Sequence, residues 1–240
     1  MQNGDKKEQK VLAVITARGG SKRIPKKNIR PFLGRPIMEY SIEAAIESGC
    51  FDEVMVSTDS EEIAEIAQKA GAKVPFYRSE STSDDHATTA DVLLEVIRTY
   101  EERGIFFGAI CCLYPTAPFV NAFAIKEAMK TLIDCEADTV LPVVRYSFPP
   151  QRSVVIRDNM VTPRYPEDYL KRSQDLEPYY HDCGQFYCMR TESLKKNGAI
   201  VAGKVLPYVQ QEIRVQDIDT EEDWQIAEMK YRILKDRGLL

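Results

Sequence analysis

Two stretches of this chain carry residue types able to act on a charged ligand. The first runs from Lys10 to Arg30, KVLAVITARGGSKRIPKKNIR. Seven cations (Arg18, Lys22, Arg23, Lys26, Lys27, Arg30 and Arg35) and no acid lie between Val11 and Met38. The whole chain is −5, so the remainder sums to −12, and a positive loop on an acidic protein implies an anion to be held. An apolar run opening into Ala17-Arg18-Gly19-Gly20-Ser21 is how α/β proteins present backbone N–H groups to phosphate. Gly19 and Gly20 let the backbone approach an oxyanion, and Arg18, Lys22 and Lys27 supply charge to span several phosphates. The spacing fits neither a Walker loop nor GxGxxG. Pro25 keeps the segment a loop.

The second stretch is Asp217-Ile218-Asp219-Thr220-Glu221-Glu222-Asp223, with five acids in seven residues. In an extended segment Asp217 and Asp219 point to one side, a pair suited to magnesium together with phosphate oxygens. A capping box, Thr220 with Asp223 or Asp219 with Glu222, explains the same acids structurally, and both readings can hold. Basic loop and acidic pair together suggest nucleotide chemistry with magnesium.

Other candidates have two readings each. Asp59 and Ser60 follow a strand end and serve as ligands or as a helix cap. Arg78 offers a donor to a base or a carboxylate. His86 is a general base or an ordinary loop histidine. Arg172, with Gln174 beside it and Arg152 upstream, suits a carboxylate or salt bridges within an arm.

The elements that must position these groups follow from periodicity. Strands are expected at 11–15, 53–58, 74–77, 109–114 and 139–144. Helices are expected from Pro36 to near Gly49, and over 59–70, 88–103, 123–133 and 223–237. This alternation predicts an α/β fold, a Rossmann-like doubly wound and mostly parallel sheet in one domain over 1–240. Ligands of such sheets bind beyond the carboxyl ends of the strands, here loops 17–30, 57–62 and 114–121. Residues 145–182, rich in Pro, Tyr, Arg and Asp, fit neither element for long and read as an inserted excursion, a lid or an arm to a second subunit. The core resumes at Gly184-Gln185-Phe186-Tyr187.

Length, composition and charge exclude other classes. The 240 residues, 44% hydrophobic and 29% charged, suit a soluble globular chain with no membrane span. The polar start, MQNGDKKEQK, reads as a disordered lead-in rather than a secretion signal. The acidic balance argues against nucleic acid as a partner. Six cysteines at irregular spacing, with only two histidines, read as free thiols in a reducing cytoplasm.

The strings ITARGGSKRIPKKN, VSTDSEEIAE, LYPTAP and DIDTEEDW resemble the cytidylyltransferases that activate sialic acids and related nonulosonic acids as CMP-sugars. The resemblance spans nearly the whole chain. It implies a nucleotidyltransferase fold, CTP and a nonulosonic acid as substrates, Mg2+ as cofactor, and a homodimer whose arms complete each other's sugar sites. It implies that Ala17, Arg18, Gly19, Ser21, Lys22 and Arg78 bind CTP, with Arg18, Lys22 and Lys27 at the chemistry and Lys22 nearest to it. It places Asn28, Tyr114, Arg152, Arg172, Gln174, Gln185 and Tyr187 toward the sugar, and Asp217 and Asp219 on the metal. The sialic acid enzymes show LQPTSPLR where this chain has Leu113-Tyr114-Pro115-Thr116-Ala117-Pro118-Phe119. They show NGAIY where it has His181-Asp182-Cys183-Gly184-Gln185-Phe186-Tyr187. RSQDLEPYYHDCGQFY looks like the pseudaminic acid branch, so that sugar is the expected acceptor, with sialic and legionaminic acids as alternatives.

Overall fold

The first strand, β1 (Val11–Thr16), divides the molecule by its own alternation. Ala13 and Ile15 enter one hydrophobic core and Leu12 and Val14 enter another, as expected for a strand buried on both faces. In the computed structural model, which describes residues 10–20, 23–84 and 86–240, β1 pairs in parallel with β4 (Glu53–Ser57) and β5 (Ala109–Leu113). The polar lead-in before Lys10, and Ser21, Lys22 and Asp85, lie outside the described residues.

Helices cover both faces. α1 (Ile37–Ser48), α2 (Glu61–Lys69) and α5 (Ala122–Asp134) pack on the Ala13 and Ile15 side. α4 (Thr89–Glu102) and α7 (Thr191–Asn197) pack on the other, while α3 (Glu80–Ser83) is a single turn before α4. Their starts are set by side chains: Ser60 caps α2, Thr88 and Asp91 form a capping box on α4, and Asn121 caps α5.

The remaining sheet strands are β6 (Thr139–Arg145), β9 (Tyr180–Asp182), β10 (Phe186–Arg190) and β11 (Val205–Gln210). The order is β11-β6-β10-β5-β1-β4, with β9 also on β6. β10 runs antiparallel between β5 and β6, and all other neighbours on that path are parallel. The mostly parallel sheet expected from the sequence is present. Past β9 the chain crosses from β6 to β5 through a bulge: Cys183 N–H donates to Pro142 O at 3.0 Å, and Gln185 O accepts from Tyr114 N–H at 2.8 Å. Gly184, at φ +62°, makes that step without a Cβ penalty.

One expected strand fails. Lys73 alone bridges Met55, and residues 74–77 do not extend the pairing. Pro75 has no N–H to continue a ladder, so the chain runs loosely along β4 until Arg78 N–H donates to Thr58 O.

The excursion over 145–182 leaves the end of β6 and returns beside it as β9. It holds a hairpin, β7 (Val154–Arg157) with β8 (Met160–Pro163), turned at Asp158 and Asn159, which both have positive φ. A short helix, α6 (Pro166–Tyr169), follows. Gln151 Nε2 donates to Glu177 O at 2.8 Å and fastens the two ends together.

A third core decides where the acids sit. The two-residue strands β2 (Pro31–Phe32) and β3 (Arg35–Pro36) hold Phe32 against Tyr40, Trp224 and Tyr231, edge to face. Ile24 from the basic loop and Ile218 join this cluster with Trp224, Ala227 and Leu234 of the last helix, α8 (Glu221–Asp236). Ile218 is fully buried, worth about 1.5–3 kcal/mol for a large aliphatic side chain.

Candidate active site

The basic loop is built from its buried end outward. Ala17 is fully buried, and its N–H donates to Ser57 O at 3.0 Å, extending the β1–β4 pairing by one residue. Gly19 N–H donates to Asp59 Oδ1 at 2.8 Å. A Cβ on Gly19 would stand 3.3 Å from Ser60 Cβ, so the loop and the start of α2 approach as closely as glycine allows. Buried Asn28 donates from Nδ2 to Arg18 O at 2.8 Å, holding the loop's other limb, and Arg18 Nη1 donates to Asp84 O at 3.0 Å.

The six described cations of this stretch fall in two groups. Lys26 pairs with Glu62 at 2.7 Å, Arg30 with Glu221 at 2.5 Å and Arg35 with Glu43 at 2.5 Å. Arg30 also stacks on Trp224, 4.5 Å from the ring centre. These three fasten the loop to α2, α8 and α1. Arg18, Arg23 and Lys27 line a cavity of about 630 Å³ with Asn28 and Thr16, and Tyr114, Pro115 and Thr116 after β5 form its facing wall. That volume falls within the range of small-molecule sites, about 300–1,000 Å³. The cavity lies at the carboxyl ends of β1 and β5, where a doubly wound sheet binds ligands.

Ile218 sets the acids against two cations of this cavity, Arg23 and Lys27. With Ile218 plugged into the third core, its neighbours turn the other way. Asp219 meets Arg23 at 2.6 Å and Lys27 at 3.3 Å, and Lys27 Nζ also donates to Ile218 O at 2.6 Å. The Asp217 carboxyl is raised above its usual range, first by burial and then by the neighbouring Asp219, with Lys27 opposing. The helix cap is the Thr220 and Asp223 box, and Asp223 Oδ2 also accepts from Asp219 N–H at 3.1 Å. The two carboxylates are thus near each other and not consumed by capping. Among the described residues no group of three or more His, Cys, Asp or Glu side chains suits a metal ion. Two carboxylates next to the cations of that cavity fit a hard cation that draws its other ligands from phosphate and water.

The other sequence candidates fall in three places. Arg78 lies under the β4 end, donating to Ser57 Oγ at 2.9 Å and Ser57 O at 3.0 Å, and burial pushes it down to about 10 while Asp59 opposes. Tyr114 reaches Thr89 Oγ1 through its hydroxyl at 3.2 Å and meets Tyr187 edge to face at 5.5 Å. Burial raises both phenols, and Tyr187 donates to Asp182 Oδ2 at 2.8 Å. Gln185 is buried behind them, giving Nε2 to Arg214 O, and its Oε1 has no partner. Arg152, Arg172 and Gln174 lie in the excursion. Arg152 donates to Ser173 Oγ at 3.3 Å and Arg172 to Asp175 Oδ2 at 3.0 Å, contacts within the excursion rather than to the cavity. Ser21 and Lys22 lie outside the described residues.

Asp59 and Arg23 are what residue-by-residue reading underrated. Asp59 serves neither as cap nor as a lone ligand candidate but holds the Gly19 turn. The signal was its place at the carboxyl end of β4. Arg23 looked like one cation among seven, and its partner lies 196 positions along the chain.

Comparison with known proteins agrees with this geometry. A family profile described as cytidylyltransferase matches residues 12–210. The pseudaminic acid cytidylyltransferase of Campylobacter jejuni subsp. jejuni serotype O:2 is 39% identical over 225 residues, covering 93% of this chain and 97% of that one. The CMP-N,N'-diacetyllegionaminic acid synthase of Legionella pneumophila is 32% identical over 222 residues, covering 91% and 95%. A CMP:2-keto-3-deoxy-manno-octonic acid synthetase solved with CTP shares the fold at a TM-score of 0.68 and 16% identity, over 95% of this chain and 99% of that one. The chain belongs to the cytidylyltransferase family and is a nucleotidyltransferase.

Proposed function

We propose that this enzyme transfers CMP from CTP to the anomeric hydroxyl of a nonulosonic acid, pseudaminic acid first, and releases pyrophosphate. The observation that carries the reading is the cavity itself, with three cations on one wall and Tyr114, Pro115 and Thr116 on the other, in a chain 39% identical to a pseudaminic acid cytidylyltransferase. The sugar hydroxyl oxygen forms a bond to the α-phosphorus, the bond from phosphorus to the bridging oxygen breaks, and the hydroxyl proton leaves to solvent. Arg18 and Lys27 face the charge that builds on the leaving pyrophosphate, and fixed donors of this kind supply electrostatic stabilisation without reorganisation. Lys22, four positions after Arg18 in the sequence, is proposed to share this role. Ala17 and Gly19, whose N–H groups go to Ser57 O and Asp59 Oδ1, shape the loop around the phosphates rather than donating to them, and Ser21 and Arg78 keep the CTP-binding roles expected from the sequence. Asp217 and Asp219 would hold magnesium, which when bound neutralises phosphate charge.

Tyr114 and Tyr187, with Gln185 behind them, form the sugar side beside Asn28. Arg152, Arg172 and Gln174 complete it from the excursion of a second subunit in a homodimer. What supports this is the excursion's apolar surface: Phe148 is 87% exposed and Leu170 90%, with Ile156, Met160 and Val161 also uncovered. No described helix is long and apolar enough to cross a membrane, and the cytoplasm, which holds CTP, is the proposed location.

The test is pyrophosphate release from CTP with pseudaminic, legionaminic and N-acetylneuraminic acids in parallel. Pseudaminic acid is expected to give a kcat/KM at least about tenfold above the others, the scale of a few lost pocket contacts. A preference for either other acid would replace the acceptor, and release with UTP or ATP as readily as with CTP would overturn the nucleotide.

A further inference from the structure

Asp219 already has partners, and they are not held alike. Lys27 is anchored: its side chain is 20% exposed and its ammonium gives a 2.6 Å hydrogen bond to Ile218 O as well as facing Asp219 Oδ1 at 3.3 Å. Arg23 reaches Asp219 Oδ2 at 2.6 Å from a side chain that is 69% exposed. A divalent cation on Asp219 Oδ2 would compete with that guanidinium for the same oxygen, whereas Lys27 faces Oδ1. Lys27 has a second acceptor to keep it in place, so Arg23 is the partner that yields. Arg23 lines the same cavity as Arg18 and Lys27, so a triphosphate there is the anion within its reach.

We infer that Arg23 is an exchange residue, neutralising Asp219 while nucleotide is absent and transferring to the triphosphate when a divalent cation takes the carboxylate. This rests on the metal reading proposed above. It makes metal and nucleotide bind cooperatively, since the nucleotide draws Arg23 off Asp219 and the metal frees Arg23 for the triphosphate, and the coupling is reciprocal. The metal site thereby holds free cations about fivefold less tightly until there is nucleotide to act on.

The experiment measures Mn2+ binding by electron paramagnetic resonance on the full chain, first alone and then with a non-hydrolysable CTP analogue. Arg23→Gln keeps the length of the side chain and removes its charge. It is expected to tighten Mn2+ binding without nucleotide by about fivefold, the upper scale of an exposed ion pair, and to shrink the nucleotide-induced tightening by the same factor. Arg23→Lys, still charged, is expected to stay near the parent enzyme. Equal Mn2+ affinity and equal coupling in Arg23→Gln and the parent would overturn the inference while leaving the metal site intact. Asp217→Asn separates the two claims: it should abolish Mn2+ binding in every background. Mn2+ binding that survives Asp217→Asn, or that is absent even with the analogue, would remove the metal reading and the exchange with it.

Discussion

At the scale of single residues, the site depends on side chains that hold other groups as much as on those facing the cavity. Asp59 is the clearest case, because its carboxylate receives Gly19 N–H at the crown of the loop. Asp59→Ala should raise KM for CTP about tenfold, the worth of a charge-assisted hydrogen bond, with a smaller change in kcat. Asp59→Asn should recover most of it, since an amide oxygen still accepts from Gly19. Steady-state kinetics on both variants decide this, and an Asn variant as impaired as Ala would mean that charge, not the hydrogen bond, is what matters. Tyr114 carries a different prediction. Tyr114→Gln, which restores the residue of the sialic acid enzymes, should shift the ratio of kcat/KM for sialic over pseudaminic acid upward by about tenfold. An unchanged ratio would place acceptor choice elsewhere, in the excursion or in residues 181–187. The sequence revealed the cationic loop but not how its charges divide. Lys26, Arg30 and Arg35 are consumed by Glu62, Glu221 and Glu43, and those acids are invisible as partners when only spacing is read.

At the scale of elements, the strands that carry the site were legible because they are apolar on both faces and end at punctuation: β1 at Gly19, β4 at the α2 cap, β5 at Pro115. The strand expected at 74–77 was not real, since its proline breaks the ladder and its apolar residues scatter, Val74 to one core, Phe76 to the other and Tyr77 to the surface. The direction of β10 was not legible either, because alternation says which residues are buried and nothing about which neighbour they pair with. Asp217-Ile218-Asp219 shows an element acting through its apolar centre. Ile218→Ala should cost about 2–5 kcal/mol of stability, measured as a drop in the urea midpoint, through lost contact and the cavity left behind. It should also weaken Mn2+ binding, since the flanking carboxylates lose the anchor that aims them. Loss of stability with metal affinity unchanged would show that the acids are aimed by the Thr220 and Asp223 box instead.

At the scale of the whole molecule, the excursion is the part that its own chain does not cover. If it completes a partner's sugar site, Lys27→Ala and Arg172→Ala enzymes, each nearly inactive, should regain about a quarter of parental activity when mixed and allowed to exchange subunits, because half the dimers then contain one intact site. Mixtures no more active than the sum of their parts would confine each site to one chain. The same molecule-wide view gives β10 a consequence for synthesis. β5 and β6 are not bonded to each other; the gap between them is filled by a strand that arrives more than forty positions after β6 ends. Until Phe186–Arg190 emerges from the ribosome, two apolar strands present unpaired inner edges, the kind of surface that recruits other chains. The excursion is then the tether whose length sets how long that exposure lasts. Shortening it should speed refolding, as the cost of closing a loop grows with its length.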